Sequence, residues 1–301
     1  MTTRSRIHAT RVALTAMAVS LATAAMPGAA AASPERVGGK LPLTSGISTV
    51  EGSAGGGLAT WAVIAGNETE DGNGGAAQLS RVELPDFRLT VVSGSIGLKN
   101  RVELSFAHQN FDTRQAGVAL GLGPSYTFGQ DIFGIKVRVV GDAVWDQDTV
   151  LPQIAIGVQH KRANRSALVR SLGAKSASGT DFYLSATKVV LPLSLLVSGT
   201  ARWTDANQFG LLGFGGDLRS GRSLQFEGSA ALLPLPNVVL GVEFRTKPNN
   251  LGFAHEGANV DLFAAIAIGH HLTATFAYVD LGDIATFRRQ RGFLVSLQGS
   301  F

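Results

Sequence analysis

The 301-residue chain contains no cysteine, so it can build neither a disulfide framework nor a thiolate-ligated metal site. Charged side chains make up only 16% of it and apolar ones 45%, which excludes a charge-rich disordered chain. Acidic residues are missing altogether before Ser33, a stretch that holds Arg4, Arg6 and Arg11; the rest of the chain therefore carries 23 − 22 = +1. A nearly neutral mature chain gives no electrostatic reason for a nucleic-acid partner. Long apolar runs are also lacking: after residue 32 no window approaches the roughly 18 uninterrupted apolar residues of a membrane helix.

The first 32 residues read as a cleavable export signal. A basic leader is followed by a short apolar stretch from Val12 to Ala25, a Pro27-Gly28 break and an Ala30-Ala31-Ala32 cleavage site. The apolar stretch is shorter than a membrane span and is interrupted by Thr15, Ser20 and Thr23. With no cysteine to lipidate, the expected destinations are the periplasm, the outer membrane or the medium, and the strand pattern below selects the bacterial outer membrane.

What the mature chain has in abundance is alternation. Val102, Leu104 and Phe106 oppose Glu103, Ser105 and Ala107; Val238, Leu240, Val242 and Phe244 oppose Gly241, Glu243 and Arg245. Such period-two segments are strands with one greasy and one wet face. Twelve are predicted, over residues 76–84, 87–97, 101–109, 132–140, 152–160, 181–189, 194–203, 222–232, 238–246, 259–268, 271–280 and 292–301. Their lengths suit the ~9–11 residues of a tilted bilayer-crossing strand. Counted back from the C-terminus, connections alternate long and short, the hairpin asymmetry of outer-membrane barrels. The expected fold is all-β: a transmembrane antiparallel up-and-down β-barrel over 76–301 with about 12 strands. Fourteen is the alternative if Lys40 to Val50 and Leu58 to Ala65 join the wall. A soluble β-sandwich uses the same alternation but shorter strands.

The Gly-rich segment 33–75 can then be a plug in the lumen, a periplasmic tail or the first strands. Its many glycines suit a backbone pressed against a wall. The last strand, Phe293-x-Val295-x-Leu297-x-Gly299-x-Phe301, has the form of the terminal signal read by the outer-membrane barrel assembly machinery. Phe111, Phe128, Phe133, Phe182, Trp203, Phe244 and Tyr278 lie near strand ends, where interfacial girdles are expected.

Several runs resemble one family across essentially the whole mature chain. They are Gly39-Lys40-Leu41, Gly141-Asp142-Ala143-Val144-Trp145-Asp146-Gln147-Asp148 leading into Leu151 to Gly157, Ala206-Asn207-Gln208-Phe209-Gly210, Lys247-Pro248-Asn249-Asn250-Leu251-Gly252-Phe253, and Asp280-Leu281-Gly282-Asp283 through Gly292. This set is similar to the Gram-negative outer-membrane proteins grouped as domain of unknown function 3034. The resemblance implies the barrel and no activity. The chain departs from what such a barrel leads one to expect in its low tyrosine content, Tyr126, Tyr183 and Tyr278 alone.

Catalytic, cofactor and metal sites are not signalled. His108, His160, His255, His270 and His271 sit in no G-x-S-x-G or H-E-x-x-H frame. Asp142, Asp146 and Asp148, and Glu68, Glu70, Asp71 and Asn73, carry hard oxygens of the kind calcium uses, but without loop-motif spacing they read as solvated turns. The wet strand faces say more. A charge facing lipid at mid-depth costs about 2–4 kcal/mol, which turns Glu103, Lys136, Arg138, Arg202, Glu227, Glu243, Arg245 and Asp261 into the lumen. Neighbouring strands oppose Glu103 to Lys136 and Arg138, Arg202 to Glu227, and Arg245 to Asp261. Lys161, Arg162, Arg165, Arg170 and Lys175 form a basic outer loop suited to lipopolysaccharide phosphates, and Arg288, Arg289 and Arg291 add to it. The expected function is a narrow or plugged channel for a small solute. A non-conducting structural or surface-interaction barrel is the alternative, and an outer-membrane hydrolase ranks last.

Overall fold

The computed structural model describes residues 40–67 and 69–301. The export signal and Glu68 fall outside them. Twelve strands form one closed antiparallel barrel: β3 Asn73–Glu83, β4 Arg88–Leu98, β5 Val102–Asp112, β6 Thr127–Val140, β7 Gln153–Ala163, β8 Ser178–Val190, β9 Leu195–Thr204, β10 Ser223–Leu235, β11 Val238–Arg245, β12 Asn259–Ile268, β13 Leu272–Asp280 and β14 Arg291–Ser300. Each strand pairs with the next in sequence, and β14 closes onto β3 through Phe293–Ser300 against Ala76–Glu83. All twelve segments read from the alternation are wall strands.

Closure follows from the pleat. Each strand puts alternate side chains on one surface, and here the outward set is apolar and exposed, as with Leu79, Phe133, Leu184, Leu262 and Val295. Strand lengths of 8 to 14 residues bracket the span of a tilted membrane strand. A closed wall also removes the free sheet edges that would otherwise template association.

Because the strand number is even, residue 73 and residue 300 lie at one end of the barrel, here the terminal end; the other is the distal end. Apart from the 141–152 connection, terminal-end turns are tight. At Lys99 and Asn100 both residues take left-handed backbone (φ 50° and 46°), the geometry of a type I′ hairpin. The long 141–152 connection at this same end is folded against the barrel, with Asp142 accepting from the backbone N–H of Val144 and Trp145. The brief distal turn is closed by Leu84 N–H donating to the Phe87 carbonyl.

Residues 40–66 do not join the wall. Ile47–Ser48 (β1) and Ala54–Gly55 (β2) pair with each other as a two-residue ladder, so the fourteen-strand alternative is excluded. The segment from Thr44 to Ala65 is buried, with Ile47, Val50, Ala54, Leu58, Trp61 and Val63 as its apolar residues. It approaches so closely that a Cβ on the wall residue Gly97 would sit 2.1 Å from the Ala65 carbonyl oxygen; only glycine fits there.

Candidate functional site in the barrel lumen

Inward positions of the wall are polar, and all eight charges read from the alternation (Glu103, Lys136, Arg138, Arg202, Glu227, Glu243, Arg245 and Asp261) are buried inside. Their bonds run largely to the segment from Ser48 to Ala65. Glu103 accepts from the backbone N–H of Ala54 and Ala65, Glu227 from Thr60, and Glu243 from Leu58 at 2.8 Å and Ala59 at 3.3 Å. In the other direction Gln78 donates to the Ser48 carbonyl, Gln109 to Val50, Lys136 to Ala54 and Trp61, Gln153 to Ala62, and Thr200 to Thr60. The Ser48 N–H donates to Gln298, Trp61 Nε1 to Ser229, and the Ala62 N–H to Thr187. Nine of the twelve strands thus bond the segment, mostly through its backbone. An isolated loop could not bury so many peptide groups; the wall's side chains satisfy them.

At the centre is an ion network. Glu51, at the head of the segment, meets Lys161, Arg245 (2.9 Å) and Arg202 (3.7 Å). Asp181 meets Lys161 at 2.7 Å and Arg202 at 3.5 Å, and Glu227 meets Arg202 at 2.5 Å and Arg245 at 3.3 Å. Three carboxylates and three cations are therefore interlocked. Burial alone would push the Glu51 carboxyl up, yet Arg245, Lys161 and Arg202 together hold it well below the usual carboxylate range. A second pair, Lys136–Glu103 at 3.0 Å, lies nearer the terminal end. Lys40 stands where the segment enters, donating to the carbonyls of Ile64 (2.5 Å) and Gly66 (3.1 Å) where it leaves. Burial pushes its ammonium down to about 7.

From the distal end the connection between β9 and β10 folds inward. Gln208 and Phe209 take left-handed backbone (φ 44° and 60°), strained for non-glycine residues. That conformation lets the Phe209 carbonyl accept from Lys161 (3.2 Å) and Gln130 (3.1 Å), and its ring lies 4.1 Å beneath the Arg245 guanidinium. Leu211, Leu212, Leu281 and Ile284 pack with Val82, Leu84, Leu89, Phe111 and Phe128 around a cavity of about 40 Å³. At this end the lumen is apolar. In the same region Lys247 and Glu256 pair at 3.1 Å, burial pushing the lysine down and the glutamate up.

Four sequence expectations need correcting. Lys161 does not lie in a basic outer loop: β7 extends to Ala163, and the side chain is fully buried against Glu51 and Asp181. Arg162, Arg165, Arg170 and Lys175 are exposed. Phe111 and Phe128 are buried inside rather than girdling the outside, the Phe111 ring in tilted contact with Phe87 at 5.1 Å and with Phe128 at 5.2 Å under the distal cap. Arg245 does not pair with Asp261, because its Nη2 meets Glu51 and its Nε meets Glu227. Arg138 turns instead to Asp142 (3.1 Å) and Glu70. Phe293, Val295, Leu297 and Phe301 are exposed on the outer surface.

The histidines are scattered. His108 bonds Asp131 on the outer surface (2.7 Å), His160 bonds Thr180 (3.0 Å), His271 bonds the Ser300 carbonyl (2.9 Å), and His255 and His270 are exposed. Asp142 and Asp146 are occupied in turn bonds and with Arg138.

The sequence profile of a family described as "Protein of unknown function (DUF3034)" matches residues 44–298. The chain belongs to that family. No curated protein matches the sequence. Among solved structures this DUF3034 chain is similar in fold to the KdgM porin, with a TM-score of 0.50 at 10% identity over 75% of this chain and 99% of that one. The NanC porin aligns at 0.47, with 10% identity over 75% and 98%. Outer membrane phospholipase A from Escherichia coli aligns at 0.40, with 11% identity over 76% and 91%. The likeness to the KdgM porin is one of fold alone, a closed antiparallel β-barrel.

Strand parity could have found part of what the sequence reading missed. Gln153, Ala155 and Gln159 are inward on β7, and the same parity carries Lys161 inward. Glu51 carried no such signal, since its segment has no period; its place depends on three cations from three different strands.

Proposed function

We propose that this DUF3034 protein is an outer-membrane channel for a small solute, held shut by its own residues 43–65. The supporting observation is the form of the closure. The segment enters and leaves the lumen at the terminal end, tied there by Lys40, and it is held by wall-to-backbone hydrogen bonds and by ion pairs to one side chain, Glu51. A segment anchored this way can be withdrawn without threading through the barrel, and it would leave behind a polar lining. In an exported barrel the terminal end faces the periplasm, and the outward apolar positions meet lipid.

A static, filled barrel is the second reading, favoured by the apolar cap over the network. Planar-bilayer recording separates the two. The intact protein should be nearly silent, and deletion of residues 43–65 should give steady conductance; a silent deletion variant that retains the barrel supports the static reading.

Two partner assignments accompany this reading. The exposed Arg162, Arg165, Arg170 and Lys175 stand at the distal end with Arg288, Arg289 and Arg291, suited to lipopolysaccharide phosphates. Replacing the first four by Gln should lower lipopolysaccharide co-purification, and unchanged co-purification would remove the assignment. The outward aromatic and aliphatic row of β14 is the face offered to the assembly machinery. We assign no enzymatic activity: among the described residues the histidine that bonds a hydroxyl, His160 with Thr180, is exposed on the outward face of its strand, and sustained turnover of phospholipid by the refolded protein would reverse that assignment.

A further inference from the structure

Among the described residues, seven carboxylates are buried: Glu51, Glu103, Asp181, Glu227, Glu243, Glu256 and Asp261. Five have a cation within 4 Å. The two that do not, Glu243 and Asp261, face each other directly across β11 and β12, where Cβ atoms stand about 4.5–5.5 Å apart and like charges repel. Glu243 is at least solvated by the protein, through Leu58 N–H, Ala59 N–H and the Ser229 hydroxyl. Asp261 has no hydrogen-bond partner for either oxygen among the described residues. Two residues along the same inward face, Asn259 is fully buried and likewise has no partner for its carboxamide oxygen or nitrogen. Two buried polar side chains with unused oxygens, Asp261 and Asn259, beside a buried carboxylate, Glu243, that has no cation within 4 Å, are costly unless a further group binds them.

We infer that Asp261, Glu243 and Asn259 form a binding site for one divalent metal cation of the calcium type. Two carboxylates supply the two negative charges that the lumen leaves uncompensated, and one divalent ion cancels them. The donors are all hard oxygens, two carboxylates and a carboxamide, which suits calcium and its tolerance of irregular geometry completed by water. Histidine and thiolate are absent from the set, which disfavours zinc and copper. Glu243 also holds the turn at 56–59, where a Cβ on Gly56 would fall 2.2 Å from its Oε1. A cation here would brace the carboxylate that grips that segment. The site stands whether or not the barrel conducts.

The test uses the refolded, lipopolysaccharide-free full-length mature protein in an uncharged detergent. Equilibrium dialysis with radioactive calcium should show one saturable site with a Kd on the order of 0.1–1 mM, the range of extracellular calcium modules. The thermal midpoint should rise on adding calcium and fall back with EDTA. Asp261→Asn should abolish both effects while the barrel still folds, since it removes only the charge; Asn259→Ser should weaken binding roughly tenfold or more. Magnesium, which demands stricter octahedral geometry, should compete poorly. Absence of saturable calcium binding overturns the proposal. So does a protonated-carboxyl infrared band that persists with calcium and disappears in Asp261→Asn, because the site would then hold a proton.

Discussion

The two flanks of the lumen are lined with the same kinds of side chain and behave in opposite ways. Along β7 to β10, Asp181 and Glu227 alternate with Lys161 and Arg202 so that each carboxylate lies against a cation. Across β11 and β12, Glu243 confronts Asp261 with no cation between them. The first flank is complete only because the segment through the lumen lends it Glu51; without that carboxylate, Lys161, Arg202 and Arg245 would face Asp181 and Glu227 with one positive charge unmatched. The wall and the segment are thus one electrostatic unit on one side, whereas on the other the segment only softens a repulsion by donating two backbone N–H groups to Glu243. A buried ion pair contributes little net stability compared with a well-packed apolar replacement, but breaking one strands a charge.

Removing the hub of the matched flank should do the most damage. Arg202 is bonded to Glu227, Asp181, Gln159 and Thr60, and Arg202→Met should cost about 3–5 kcal/mol, read as a lowered urea midpoint in detergent. Glu51→Gln should come next and act on the segment rather than the wall. Its carboxyl is depressed in the docked state, so the released segment binds more protons below about 4.5, and docking should weaken as pH falls from there. The Gln variant should lose that acid sensitivity, measured as proteolysis of residues 40–66.

The unmatched flank should respond in the opposite sense. In calcium-free buffer Asp261→Asn should stabilise the protein by roughly 1–2 kcal/mol, since it removes a buried unpaired charge; a destabilised variant would show that Asp261 is paired after all. Trp61→Phe, which deletes the indole donation to Ser229, should cost about 1 kcal/mol in the same assay. The entrance is read by its pH dependence rather than by a midpoint. Lys40 is held at about 7 against an ordinary 10.5, so between those values the released segment carries a proton that the docked one lacks. Docking should therefore strengthen as pH rises from 7 to 10, a slope that Lys40→Met should flatten.

The wall was legible because it obeys one local rule. Period two, repeated twelve times, set the strands, the lumen-facing charges and pairs such as Glu103–Lys136, which lie directly opposite on adjacent strands. What was illegible has no local rule behind it. β6 begins at Thr127, five residues ahead of its expected start, because the inward Phe128 is stabilised by the distal cap rather than by alternation. Whether Arg245 would choose Asp261 or Glu51 depends on a segment nearly two hundred positions away in sequence. The carboxamide groups of Gln109, Gln130 and Gln153 look like ordinary inward polar residues until the backbone they bond is in place.

The central claim is that residues 43–65 block conduction through the barrel by holding on to its charges. Single-channel recording of the refolded protein before and after their deletion tests it most directly. The account predicts a quiet intact protein and a deletion variant with steady conductance. An intact protein that already conducts as well as the deletion variant would contradict it.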